Sequence, residues 1–151
     1  MVKRVVLVLF VLFLAIQLYR PARTNPPVDS KRTLQSRVGV PADVDNILER
    51  ACRDCHSSET RWPWYSHVAP LMWGVAWDVD QGRRHWNLSD WRFSTEESAD
   101  LLDEICTEVK RETMPLPRYV WLHPEARLRE QDVQRLCAWT NEAIDELFAE
   151  Q

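Results

Sequence analysis

The chain has 151 residues, 45% of them hydrophobic and 28% charged, a balance that excludes a disordered protein and suits one domain with a single core. Three glycines beside eight tryptophans argue against a turn-rich β-sandwich and against a phosphate-cradling loop. The formal net charge is −4, and residues 25–151 alone carry 15 basic against 23 acidic side chains, a formal −8. That surface argues against nucleic acid as a partner; it suits a protein with a basic docking face, or serves simply as solubilising charge.

Residues 1–20 form a separate unit. Lys3 and Arg4 precede an unbroken apolar run from Val5 to Ile16, which leaves through Leu18, Tyr19, Arg20 and Pro21. The exit lacks the small residues a signal peptidase needs, so a membrane anchor is preferred to a cleaved signal. As a helix, Val5 to Tyr19 rises roughly 22 Å against a hydrocarbon core of roughly 30 Å. Snorkelling of Lys3, Arg4 and Arg20 makes a single-pass transmembrane helix plausible. Either reading exports the rest of the chain to the periplasmic or other extracytoplasmic side of the cytoplasmic membrane. Residues 21–41 are polar and proline-bearing and read as a tether. Residues 42–151 form the domain.

In the domain, Val44, Ile47, Leu48, Ala51, Cys52 and Cys55 recur at helical spacing, predicting one helix that carries both cysteines on its buried face. A second helix is expected over 71–81. Ser94 and Glu97 make a capping box that opens a third, with Leu101, Leu102, Ile105, Cys106 and Val109 as its stripe. Pro115 and Pro117 close it and leave Met114 in a stiffened loop. A fourth spans 130–148. With no strand alternation and no repeat, the expectation is an all-α domain of about four short helices joined by long loops.

Cys52-Arg53-Asp54-Cys55-His56 is the C-x-x-C-H pattern of c-type haem attachment. Two thiols two residues apart match the two vinyl groups of one haem, and the adjacent histidine reaches the iron as proximal ligand. Met114 is the first choice for the distal ligand, with His67, His123 or an open sixth position as alternatives. His85 reads as a surface residue. Trp62, Trp64, Tyr65, Trp73 and Trp77 could wall the haem or simply fill the core. A zinc site drawing on Cys106, Cys137 and His123 lacks paired ligand spacing, and a thioredoxin-like pair lacks its βαβ context. Cys106 and Cys137 lie on apolar helix faces, and an oxidising compartment favours a disulfide over two buried thiols.

The chain resembles the small haem-binding domain family of bacterial c-type cytochromes. The resemblance rests on the Cys52–Ser57 stretch, Trp62-Pro63-Trp64-Tyr65-Ser66, and Gly82-Arg83 with Asn87 and Trp91. It continues through Met114-Pro115, His123–Leu128 and Cys137-Ala138-Trp139-Thr140, and the anchor exit 17–21 looks similar too. It implies a cytochrome c-like all-α fold with haem c on Cys52, Cys55 and His56, and Met114 at the distal position. Arg129 departs from the expected serine or threonine cap of the last helix. The function expected is one-electron transfer to a redox partner at the outer membrane face, by a carrier and not an enzyme. The alternatives are a haem sensor or peroxidase-like enzyme with a labile sixth ligand, and a zinc-structured interaction module.

Overall fold

The computed structural model describes residues 1–149. Seven α-helices and several single 3-10 turns account for its regular structure, and no strand occurs among the described residues. Helix α1 (Val2–Ile16) is apolar and exposed along its length. It has fifteen residues, and no helix among the described residues is both long and apolar enough to cross a membrane. The helix expected as a transmembrane anchor is therefore shorter than a conventional span.

Residues 21–41 do not behave as the expected tether. Leu34 and Val38 are buried in the main core, and the backbone pairs with the domain at Leu34 N to Leu88 O (2.9 Å) and Trp91 N to Arg32 O (2.6 Å). The polar character that suggested a free linker belongs to residues whose bonds go inward. Asn25 donates to Thr60 O, and Arg23 donates to Ser66 O.

Helix α2 (Ala42–Ala51) buries Val44, Ile47, Leu48 and Ala51, with Asp43 and Asp45 at the positive end of its dipole. It ends sooner than the periodicity predicts. Cys52 adopts φ −123° and ψ −40°, and a separate short helix α3 (Arg53–His56) follows. The break rotates the two cysteines relative to the stripe of α2, so both are half-buried and not core.

Helix α4 (Leu71–His85) runs one turn beyond its expected end and crosses α3 closely. Gly82 makes the crossing possible: a Cβ there would lie 2.6 Å from the carbonyl oxygen of Cys55. Helix α5 (Thr95–Lys110) opens on the expected box. Glu97 N donates to Ser94 Oγ (3.2 Å) and Ser94 N donates to Glu97 Oε2 (2.9 Å). Its end is not set by the prolines. Glu112 takes φ 58°, Glu112 N donates to Val109 O and Thr113 N to Glu108 O (both 3.2 Å), a Schellman closure centred three residues before Pro115.

The short helix α6 (Pro117–Leu122) was not expected; Pro117 occupies its first turn, where a missing N–H is harmless. Helix α7 (Glu130–Ala149) makes its most extensive packing against α5. In place of a serine or threonine cap, Arg129 N donates to Asp132 Oδ2 at 2.8 Å, and Asp132 also pairs with Arg50 of α2 at 2.7 Å. Cys106 of α5 and Cys137 of α7 form a disulfide, as the compartment argument expected.

Candidate haem site

His56 sits at the centre of the site. Its ring is 7% exposed, its Nδ1 lies 3.3 Å from Trp86 O, and it stacks on the Trp86 indole at a centroid distance of 3.7 Å. Burial pushes its pKa down to about 4, so the imidazole is neutral at physiological pH. A neutral ring whose Nδ1–H donates to a carbonyl presents Nε2 as a lone pair, the form that binds metal.

Two adjoining cavities of about 370 and 130 Å³ open beside this ring. Both are bounded by Ala51, His56, His85, Met114 and Pro115; Cys55 borders the larger and Cys52 the smaller. Thus the structure brings all four expected site residues, Cys52, Cys55, His56 and Met114, to the walls of two adjoining cavities. The two thiols are unpaired, and burial, with each other's proximity at Cys52, pushes both up to about 12. They are protonated thiols, not thiolates, at neutral pH.

The donor set fits a haem. A neutral imidazole and a soft thioether border the same apolar space, with two free thiols at its edge. It does not fit zinc. Cys106 and Cys137 are consumed by their disulfide, and no cluster of three or more His, Cys, Asp or Glu able to hold a metal occurs among the described residues.

The alternative distal histidines lie elsewhere. His67 is exposed and borders neither cavity. His123 is held between Tyr65 Oη (2.7 Å) and Glu125 Oε1 (3.1 Å), with both ring nitrogens engaged. His85 is exposed, as the sequence reading expected, and from that position it borders both cavities and bonds Glu104 Oε1 through Nε2 at 2.9 Å. The expected aromatic wall is also different. Trp64 and Trp77 are exposed, Trp73 packs on Tyr19, and the indole beside His56 is Trp86.

Sequence reasoning also missed the residues that hold the motif. Asp54, between the two cysteines, is buried. It accepts from Arg61 N (3.0 Å), Arg61 Nε (3.1 Å) and Tyr119 Oη of α6 (2.7 Å). Arg83 donates to Ser57 O, Thr24 O, Asn25 Oδ1 and Thr60 Oγ1, tying the motif to the segment before the domain. A charged residue inside C-x-x-C-H that needs partners, and an arginine after the tight Gly82, were the available signals.

An all-helical domain with a neutral histidine, two free thiols and a methionine on two adjoining cavities has a donor set that suits a haem. The family model described as a haem-binding domain matches residues 11–142. The chain belongs to this haem-binding domain family, and its cofactor is haem. It is also similar to cytochrome c peroxidase Ccp of Escherichia coli (strain K12), 25% identical over 131 residues. That match covers 80% of the chain but only 28% of the relative's length. No solved structure matches the chain.

Proposed function

We propose that the domain is a cytochrome c-like, one-haem electron carrier at the outer face of the cytoplasmic membrane, tethered through α1. Cys52 and Cys55 would each add S–H across one vinyl group, forming thioethers without net redox change. His56 Nε2 and Met114 Sδ would be the side-chain donors that hold the haem group. Bound there, haem supplies a one-electron couple. The single observation that carries this reading is that His56 and Met114 border the same cavities while the two thiols stand free at the edge.

The protein's own groups do the rest. Trp86 O fixes the imidazole, and the stacked indole keeps water from its face. With His56 and Met114 both holding the haem group, neither donor would leave room for a substrate. Lys3, Arg4 and Arg20 would snorkel to let the short α1 reach across or into the bilayer. The acidic surface would meet a redox partner through a basic face.

The test is denaturing electrophoresis with haem stain after acid–acetone extraction, on protein expressed with haem-attachment machinery. Haem that stays with the chain, and is lost in Cys52→Ala/Cys55→Ala, supports covalent attachment. Extractable haem in the parent protein overturns it. Met114→Ala should then lower the reduction potential, because a thioether ligand raises it.

A second reading, a peroxidase-like or gas-sensing haem protein, is favoured by the similarity to cytochrome c peroxidase Ccp and by the His85–Glu104 pair on the cavity. An imidazole held by a carboxylate could move a proton at Nε2 or Nδ1 beside an open sixth position. Rapid carbon monoxide binding to the reduced parent protein supports this reading; no binding supports the carrier.

A further inference from the structure

A third cavity, of about 310 Å³, lies between α4 and α6 and adjoins the larger of the two beside His56, with Cys55, Asp78, Leu116, Arg118 and Tyr119 in both walls; its exposed wall is almost wholly apolar. Its rim is exposed hydrocarbon: Leu71 is 53% exposed, Trp121 84% and Leu122 47%. Trp64, between the lining residues Pro63 and Tyr65, and Val68, in the turn that leads into α4, are also exposed. Single exposed apolar side chains are ordinary, but three around one apolar hollow, with two more on the turn that leads into it, mark a contact surface.

Its occupant is indicated by where α1 ends. Gln17, at the end of α1, holds the residue next to this face through both arms of its amide. Ala69 N donates to Gln17 Oε1 (2.9 Å), and Gln17 Nε2 donates to Ala69 O (3.3 Å). Two residues on, Tyr19 O accepts from Trp73 Nε1 at 3.0 Å, and Arg23 donates to Ser66 O. The exit of the apolar helix is therefore bonded to residues 66–73, the segment that carries Val68 and Leu71. Where α1 enters lipid, that segment stands at headgroup depth. Tryptophan and arginine are residues that settle at this depth; Arg61 and Arg118 on this face are paired with Asp54 and Asp78, while Arg20 and Arg23, at the exit of α1, are in no ion pair among the described residues.

From this juxtaposition we infer that the face bearing Trp64, Val68, Leu71, Trp121 and Leu122 lies against the surface of an anionic lipid bilayer. The domain is then held in one orientation, with Cys55 turned toward the membrane and α5 away from it. The inference rests on the reading of α1 as a membrane segment, but needs only that α1 enter the bilayer, not that it cross it.

The test uses the full chain, haem-loaded, in nanodiscs of phosphatidylcholine and phosphatidylglycerol, grown with 5-fluorotryptophan. Trp64→Phe and Trp121→Phe assign their two fluorine resonances, and both sites are exposed, so neither substitution threatens the fold. A lipid carrying a gadolinium chelate on its headgroup is then added. The expected result is several-fold greater broadening of the Trp64 and Trp121 lines than of the Trp91 and Trp139 lines. The same two lines should be shielded from a water-soluble gadolinium chelate. A chain that joins the nanodiscs but leaves Trp64 and Trp121 open to the soluble chelate overturns the surface while sparing the anchor. A chain that does not join the nanodiscs overturns the anchor, and the surface with it.

Discussion

Two residues govern the backbone around the site. At Gly82 any side chain would meet the Cys55 carbonyl at 2.6 Å, and the obstacle is backbone, which cannot rotate aside. Gly82→Ala must then push α4 off α3, an overpacking that costs about 1–3 kcal/mol. Chemical denaturation should show that loss together with a lower yield of haem-loaded protein; unchanged stability would mean the crossing has slack. Glu112 is the opposite case. A non-glycine residue held at φ 58° bears a conformational cost of about 1 kcal/mol that glycine escapes. Glu112→Gly is expected to stabilise the fold by up to about 1 kcal/mol without moving the visible spectrum, since the Schellman bonds use only the backbone. A destabilised variant would show that the Glu112 side chain contributes more than its backbone costs.

At the scale of elements, α6 follows Met114 directly and is pinned to the haem motif by one hydrogen bond, Tyr119 Oη to Asp54 Oδ2 at 2.7 Å. Burial and the Asp54 carboxylate both push the Tyr119 phenol upward, so it remains a donor at all physiological pH values. Tyr119→Phe leaves the buried carboxylate short of one partner, at a cost of about 1–3 kcal/mol. If α6 positions the methionine, the variant should also shift the reduction potential, which a purely structural bond would leave alone. The α5–α7 pair is fixed differently. Their disulfide closes a separation of 31 residues, worth about 3–4 kcal/mol by chain entropy. Denaturation of Cys106→Ala/Cys137→Ala should report a loss of that order, and a much smaller one would mean that packing alone holds the two helices. These helices were the legible part of the fold: α5 carries its capping box and its stripe in local sequence, and α7 its own periodicity. What was not legible is where local pattern yields to distant contact. The spacing through Cys55 is continuous, yet the chain breaks at Cys52 because α3 must follow α4. The 21–41 segment lacks periodicity, yet Leu34 and Val38 join a core assembled from α2, α5 and α7. At the site, Cys52, Cys55, His56 and Met114 could be named because their chemistry is carried by residue type and spacing. His85, Asp54 and Arg83 could not, because their roles depend on what folds beside them.

Across the whole molecule, the charge is not spread evenly. Most cations of the domain are spent in ion pairs: Arg53 with Asp45 and Glu59, Arg135 with Asp43, Arg118 with Asp78. The outer face of α5 is different. Glu96, Asp100 and Asp103, at helical spacing, are exposed and have no ion-pair partner among the described residues. One turn further along, Glu104 and Glu108 border the smaller cavity beside His56 and Met114. If the domain is the electron carrier proposed above, an unneutralised acidic stripe leading to that cavity is where a basic redox partner is expected to dock. Attraction of this kind acts on the rate of encounter and is screened as the Debye length falls from about 30 Å at 0.01 M salt to about 3 Å at 1 M. Asp100→Lys/Asp103→Lys should therefore slow the second-order oxidation of the reduced protein by a basic electron acceptor about tenfold or more at low salt. The difference should shrink toward nothing near 1 M salt, while the potential and stability stay unchanged, because both side chains point to water. Equal rates at low salt would move the docking face off α5, and a deficit that persists at high salt would mean the substitutions act by some route other than charge.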